Sequence, residues 1–159
     1  MTVVSDTTPL HYLVLIGAAN VLPALFGRVL IPEVVRAELV HPHAPSVVRV
    51  WTKRAPPWLD IHPDPPAPET PLTRLGAGEA AAITLAETLR ADLVLLDERA
   101  GRAVAASRGL RVTGTLGVLD AAASRGLVAL PDAVARLRAT NARFAPTLLR
   151  DLLARHTER

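Results

Sequence analysis

The sequence predicts an α/β protein in which a central parallel sheet is covered by helices on both faces, making three layers. Three observations carry this reading. Short apolar runs alternate with helical patterns along the 159 residues. One run, Leu93 to Leu96, is apolar without alternation, as a strand covered on both faces must be. Half of the residues are apolar and only 3% are aromatic, so the core must be packed from Val, Leu, Ile and Ala rather than rings. Strands separated by helices call for parallel neighbours and right-handed crossovers. A chain of this length buries one proper core, so a single domain over residues 1–159 is expected.

The elements follow in order. Thr2 to Ser5 reads as a strand, and Pro9 stands in the first turn of a helix running to about Asn20, where a proline is welcome. Arg28 to Ile31 is a second strand. Pro32 then opens the helix PEVVRAELV, with Val34, Val35 and Leu39 on one face and Glu38 near its C-terminal end, and His41-Pro42 closes it. From about residue 42 to 71 the composition turns proline-rich. This reads as an inserted loop and a candidate flap or partner-facing segment, with room for a short helix around Ser46 to Lys53 and an extended WLDIH piece. LGAGEAAAITLAETLR is an alanine-rich helix preceded by glycines. Leu93 to Leu96 follows as the buried strand, then a helix to about Arg108, the short strand LRVTG and the helix TLGVLDAAASRG. A C-terminal helical region occupies about 131–156, in two parts beginning at Pro131 and Pro146. There is no internal repeat.

Composition excludes several classes. Without cysteine, neither a disulfide framework nor a thiolate zinc site can form. Asp6 and His11 interrupt the first apolar stretch, so a secretory signal pattern is missing, and no run reaches the ~18 apolar residues that a membrane span needs. A cytoplasmic protein without membrane association is expected. The net charge of +3 conceals an asymmetry: residues 1–98 hold seven Lys or Arg against eleven acids, and residues 99–159 hold eleven Arg against four acids. Such a split fits a nucleic-acid partner, with arginines on phosphates and acids elsewhere. It fits a GC-rich genome equally, since Lys53 is the single lysine.

Four acids interrupt apolar patterns. Asp6 and Asp97 each end a strand, and in a parallel α/β sheet the functional crevice lies outside the carboxyl ends of the strands. Alone, each reads equally well as the N-cap of the next helix. Glu79 follows Gly76-Ala77-Gly78 at a helix start, where the helix dipole favours an acid, and Glu38 precedes Leu39 beside an apolar face. If the two strands are neighbours, their tips lie about 5 to 10 Å apart. Carboxylates held that close repel unless something positive sits between them. With no Cys and no HExxH or HxxxH spacing, oxygen donors suit Mg²⁺ or Mn²⁺ and point to metal-assisted phosphodiester hydrolysis.

The order of SDTTPL, IPEVVRAEL, LGAGEAAAITLA and LVLLDERAGRAVA with GLRVTGTLGVL resembles the PIN domain family of nucleases over roughly Val3 to Gly126, and more closely its small prokaryotic branch allied to VapC-type toxins. The resemblance implies a compact α/β/α domain, a homodimer and divalent-ion-dependent cleavage of RNA. It implies Asp6, Glu38, Glu79 and Asp97 as catalytic and metal-holding acids, with Thr7 positioning a water. Many family members carry Asp where Glu79 stands. Asp97 is followed by Glu98, either of which could face the ion, and Thr113 and Thr115 stand where a further acid is common, so one ion is the simpler expectation. Arg99 and Arg102, after Asp97, are candidate RNA contacts or ordinary surface residues. A toxin of this kind implies an antitoxin laid across the acidic cleft. The alternative is a PIN-like RNA- or protein-binding module that no longer cuts. A response-regulator-like domain would need a strand-end Lys, and Lys53 lies in the proline-rich stretch.

Overall fold

A computed structural model describes residues 1–67, 72 and 74–157. Its centre is a five-stranded sheet, all parallel, formed by β1 (Val3–Ser5), β2 (Val29–Pro32), β3 (Leu59–His62), β4 (Leu93–Leu95) and β5 (Val112–Thr113) in the order β3-β2-β1-β4-β5. Among the described residues the helices are α1 (Thr7–Leu15), α2 (Val21–Phe26), α3 (Glu33–Leu39), α4 (Ser46–Lys53), α5 (Ala77–Leu89), α6 (Arg99–Ser107), α7 (Thr115–Ser124), α8 (Leu130–Arg138) and α9 (Pro146–Thr157).

Strand alternation divides the interior into two cores. Val3, Val29, Ile31 and Leu95 point to one face, where α1, α2, α3, α4, α7, α8 and α9 contribute their buried side chains. Val4, Val94 and Leu96 point to the other, against Ala82, Ile83, Leu85 and Ala86 of α5 and Ala105 of α6. The two sets of helices on opposite faces of one parallel sheet form the expected α/β/α sandwich.

Two local differences from the sequence reading have physical causes. The first helix ends at Leu15 instead of continuing to about Asn20. Gly17 adopts φ +74° there, its amide donates to the Val14 carbonyl at 3.0 Å and the Ala18 amide to Leu13 at 2.8 Å, which is the Schellman stop. A separate short helix, α2, then begins at Val21. The proline-rich stretch contains α4 and, in WLDIH, the edge strand β3, whose register pairs Val29 with Leu59 and Pro32 with His62. Residues 68–71 of that stretch lie outside the described ones. No helix among the described residues is long and apolar enough to cross a membrane.

The topology matters most at β1. The chain winds outward through β2 and β3, then returns to the other side of β1 and continues through β4 and β5. Such a reversal leaves a crevice at the carboxyl ends of the two strands where it occurs. Those strands are β1 and β4, and the residues just beyond them are Asp6 and, after Leu96, Asp97.

Candidate active site

Asp6 is anchored by backbone before its side chain does anything. Ser5 pairs with Leu95, and the Asp6 amide donates to the Leu95 carbonyl at 3.0 Å, so the end of β1 is tied to the end of β4. Asp6 occupies the N-cap position of α1 but makes no side-chain cap hydrogen bond. The ordinary reason for an acid at that position is therefore missing. Its side chain is only 4% exposed, and its pKa is pushed from 3.8 to about 7. Burial is the largest cause; the Thr7 amide pulls the value back, and the charges of Glu79, Glu38 and Asp97 raise it further.

Glu38 reaches the same place from α3. The Thr7 hydroxyl donates to Glu38 Oε2 in a very short hydrogen bond, which fixes the carboxylate against the start of α1. Gly78 makes room for both acids. A Cβ at that position would lie 2.7 and 2.8 Å from the Glu38 oxygens and 3.0 Å from Asp6 Oδ1, so the two carboxylates flank one point. No side chain larger than hydrogen fits between them unless a carboxylate shifts.

Glu79, in the first turn of α5, is half satisfied. Its Oε1 accepts from the Gly76 amide at 3.2 Å, as the N3 acid of a capping box does. Its Oε2 is buried and has no hydrogen-bond partner. Gly101 on α6 faces that oxygen so closely that a Cβ would lie 2.6 Å away. Burial raises the Glu79 pKa; the Gly76 amide opposes this, and Glu98 and Glu38 add to it.

Asp97 is held by the chain's own donors. Thr115, fully buried at the start of α7, donates its amide to Oδ1 at 2.7 Å and its hydroxyl to Oδ2 at 2.6 Å. Burial still raises the Asp97 pKa, with Thr115 and the charge of Arg102 lowering it. Glu98 is exposed, at the N-cap of α6, and makes no side-chain cap hydrogen bond. The negative charge of Asp97 contributes to raising the pKa of Asp6, and that of Glu98 to raising the pKa of Glu79.

Of the residues singled out from sequence, Asp6 and Glu38 are brought together directly, while Glu79 and Asp97 stand within electrostatic reach. Among the described residues, no three His, Asp or Glu side chains are gathered in a group ready to hold an ion. Thr115 supports Asp97, whereas Thr113 faces Gly117 and lines the neighbouring cleft. Arg99 and Arg102 are exposed on α6; both line a shallow hollow beside Asp97.

The carboxylate donors fit a hard cation in two respects. Asp6 is buried among like charges, which a cation would relieve, and the buried Glu79 Oε2 lacks a partner. What the sequence reading missed are Gly101 and the part that Gly78 plays between the acids. Gly78 and Gly101 sit inside helical patterns, where an isolated glycine signals a close approach, yet which acid each accommodates depends on the packing of α5 against α3 and α6.

The comparisons with curated proteins and with solved structures found no match. A family model described as PIN domain matches residues 2–158, which takes in all five strands and every acid described above. That span, the parallel sheet with helices on both faces, and the carboxylates at its β1/β4 edge agree with one another: the chain belongs to the PIN domain family and has its nuclease fold.

Proposed function

We propose that the protein is a divalent-metal-dependent endoribonuclease, one PIN domain over residues 1–159, acting in the cytoplasm as the toxin of a type II toxin–antitoxin pair and as a homodimer. The observation that supports this most is the convergence at Gly78. Two carboxylates from separate elements flank a position emptied of side chain, and one of them is buried without serving as a cap. Gathering such charges costs stability unless a cation joins them.

Asp6 and Glu38 are the residues that would hold Mg²⁺ or Mn²⁺, with Glu79 and Asp97 beside them. Mg²⁺ characteristically takes one or two carboxylates and fills its other positions with water and substrate phosphate, so a pair of protein ligands is sufficient. When bound, the ion supplies positive charge to the phosphodiester and a more acidic water. The chain's own groups set the positions: Thr7 orients Glu38, Thr115 orients Asp97, and the Leu95 carbonyl holds the Asp6 backbone. Arg99 and Arg102, exposed on α6, are suited to contact RNA phosphates. An antitoxin segment carrying Arg or Lys would neutralise the same carboxylates.

The test is Asp6→Asn. Cleavage of RNA in Mg²⁺ or Mn²⁺ should fall by about 10³-fold, as loss of several kcal/mol of metal-derived stabilisation requires, while the variant remains folded. Undiminished cleavage by the purified variant would overturn the assignment. A second reading, a PIN-like module that binds RNA or protein without cutting, draws on the lack of a ready three-acid group among the described residues. Titrating Mn²⁺ separates the two: an ion that binds the native state must raise the melting temperature. No rise, together with no cleavage by the wild-type protein, favours the binding module.

A further inference from the structure

Two helices on the same face of the sheet begin at the site. α1 starts directly after Asp6, and its first residue, Thr7, donates to Glu38; α7 starts with Thr115, whose amide and hydroxyl hold Asp97. One stretch of chain, residues 141–157, takes hold of both helices further along. On α1, the Tyr12 hydroxyl donates to Asn141 Oδ1 at 3.1 Å, and the Tyr12 ring meets Phe144 edge to face with centroids 6.4 Å apart. On α7, His156 Nε2 donates to Asp120 Oδ1 at 2.7 Å, and Arg155 approaches Asp120 Oδ2 at 3.4 Å. The pattern of α9 explains the second grip. Leu149, Leu152 and His156 recur at i, i+3 and i+7, so one stripe carries two buried leucines and then an imidazole whose side chain is 12% exposed. A polar ring so nearly buried needs a partner, and Asp120 supplies it from a helix whose Val118, Leu119 and Ala122 are buried. The first grip lies close to the acids: burial raises the Tyr12 pKa and the charge of Asp97 adds to the rise.

We propose that the C-terminal segment is a clasp that sets the position of Asp97 relative to Asp6, with Asp120 and Tyr12 as positioning residues for the ion. The inference rests on the metal reading above and adds to it residues that do not touch the ion. A helix is stiff along its axis, so α7 fixed at Asp120 presents Thr115, about 7.5 Å away along that axis, in one place. Asp97 follows, because both of its oxygens are bonded to Thr115. On the other side, the grip on Tyr12 holds α1, whose N-cap is Asp6. Carboxylates gathered about one ion must keep their geometry to within about 0.5 Å. Two helices tied to the same segment keep it better than two helices packed only through apolar contacts, which have no direction.

The experiment is calorimetric titration of Mn²⁺ into the full chain well below its melting transition, with the melting temperature in chelator measured beside it. Where the native state is fully populated, a change in global stability alone leaves the affinity unaltered, so affinity separates positioning from mere support. Asp120→Ala should weaken Mn²⁺ binding about tenfold, the lower end of the range for groups that orient metal ligands. Asp120→Asn keeps an oxygen that accepts from the imidazole and should return most of that affinity. Tyr12→Phe removes the hydroxyl, keeps the ring against Phe144 and should cost about threefold, the worth of a modest hydrogen bond. Should Asp120→Ala not fold, Tyr12→Phe alone decides. Thr115→Val combined with Asp120→Ala should lose less than the product of the two single losses, because the grip on Asp120 acts through Thr115; a full product would overturn the route through α7. Asp132→Ala, which breaks an exposed pair on α8, should leave the affinity unchanged. If the Asp120 and Tyr12 variants melt earlier yet bind Mn²⁺ like wild type, the proposal fails and the metal reading stands. If the wild type binds no Mn²⁺, both fail.

Discussion

The acidic pocket at the β1/β4 edge and the C-terminal segment clasped to α1 and α7 are built on opposite principles. The pocket is internally unfavourable: Asp6 is 4% exposed, Glu79 Oε2 is buried without a partner, and like charges act on both. In the segment the contacts are favourable: Asn141 accepts from Tyr12, His156 pairs with Asp120, and Leu149 and Leu152 are buried. A pocket of the first kind carries a stability cost that a bound cation can relieve. A segment of the second kind adds stability without the ion. Stability measured in chelator should therefore be lowered by the pocket's charges and raised by the segment's contacts.

The largest expected effect on stability is that of pH on metal-free protein. The folded-state pKa of Asp6, about 7, lies above its ordinary 3.8, so the native chain binds this proton more tightly than the unfolded one. The resulting stabilisation is complete below about pH 4 and is lost as pH rises through about 7, a change of up to about 4 kcal/mol. Asp97 and Glu79 are raised as well and act in the same direction. The metal-free melting temperature should fall between about pH 5 and pH 8, and Mn²⁺ should restore it at pH 8. A melting temperature that is flat across this range in chelator would remove the contrast between pocket and segment.

Gly78→Ala comes next. The new methyl group would meet Glu38 at 2.7 Å and Asp6 at 3.0 Å and must push the carboxylates apart. Mn²⁺ affinity by calorimetry should drop about 10- to 100-fold, as when groups that orient ligands are disturbed. Stability should move by no more than about 1 kcal/mol, because alanine is the better helix former and partly offsets the crowding. Thr115→Val removes the hydroxyl donor to Asp97 while leaving the amide. Chemical denaturation should register a loss of about 1–3 kcal/mol, the usual result when a partly buried acceptor loses a partner. In the C-terminal segment, Arg155→Gln should change stability by less than about 1 kcal/mol, since its pair with Asp120 is exposed. A loss as large as that from Thr115→Val would shift the segment's hold on Asp120 from His156 to Arg155.

Much of the pocket was legible in the chain, and little of the clasp was. Asp6 and Asp97 end apolar runs, and a parallel sheet sends such ends to one edge; the residues announcing them lie within a few positions of each acid. Glu38 and Glu79 could be listed because they interrupt local periodicity. The clasp joins Tyr12 to Asn141 and Asp120 to His156 across segments far apart in sequence, each of which alone looks like an amphipathic helix or a linker. Helical periodicity tells that Tyr12 borders an apolar face but not what faces it.

The same division separates what the sequence determined from what tertiary structure decided. Local pattern was enough for the α/β class, for four of the strands as strands and WLDIH as an extended piece, and for acids at strand ends, because strand and helix periods are short-range consequences of backbone geometry. It also supplied Gly76 and Gly78 at the start of α5. The strand order that makes β1 and β4 neighbours, the Schellman stop that splits the first helical stretch, and the incorporation of WLDIH as an edge strand depended on contacts between distant segments. So did the partners of each acid: Thr7 for Glu38, Thr115 for Asp97, and two glycines whose missing side chains leave room for carboxylates. A hydrogen bond or a close approach is a property of two positions in space, and the sequence lists positions one at a time.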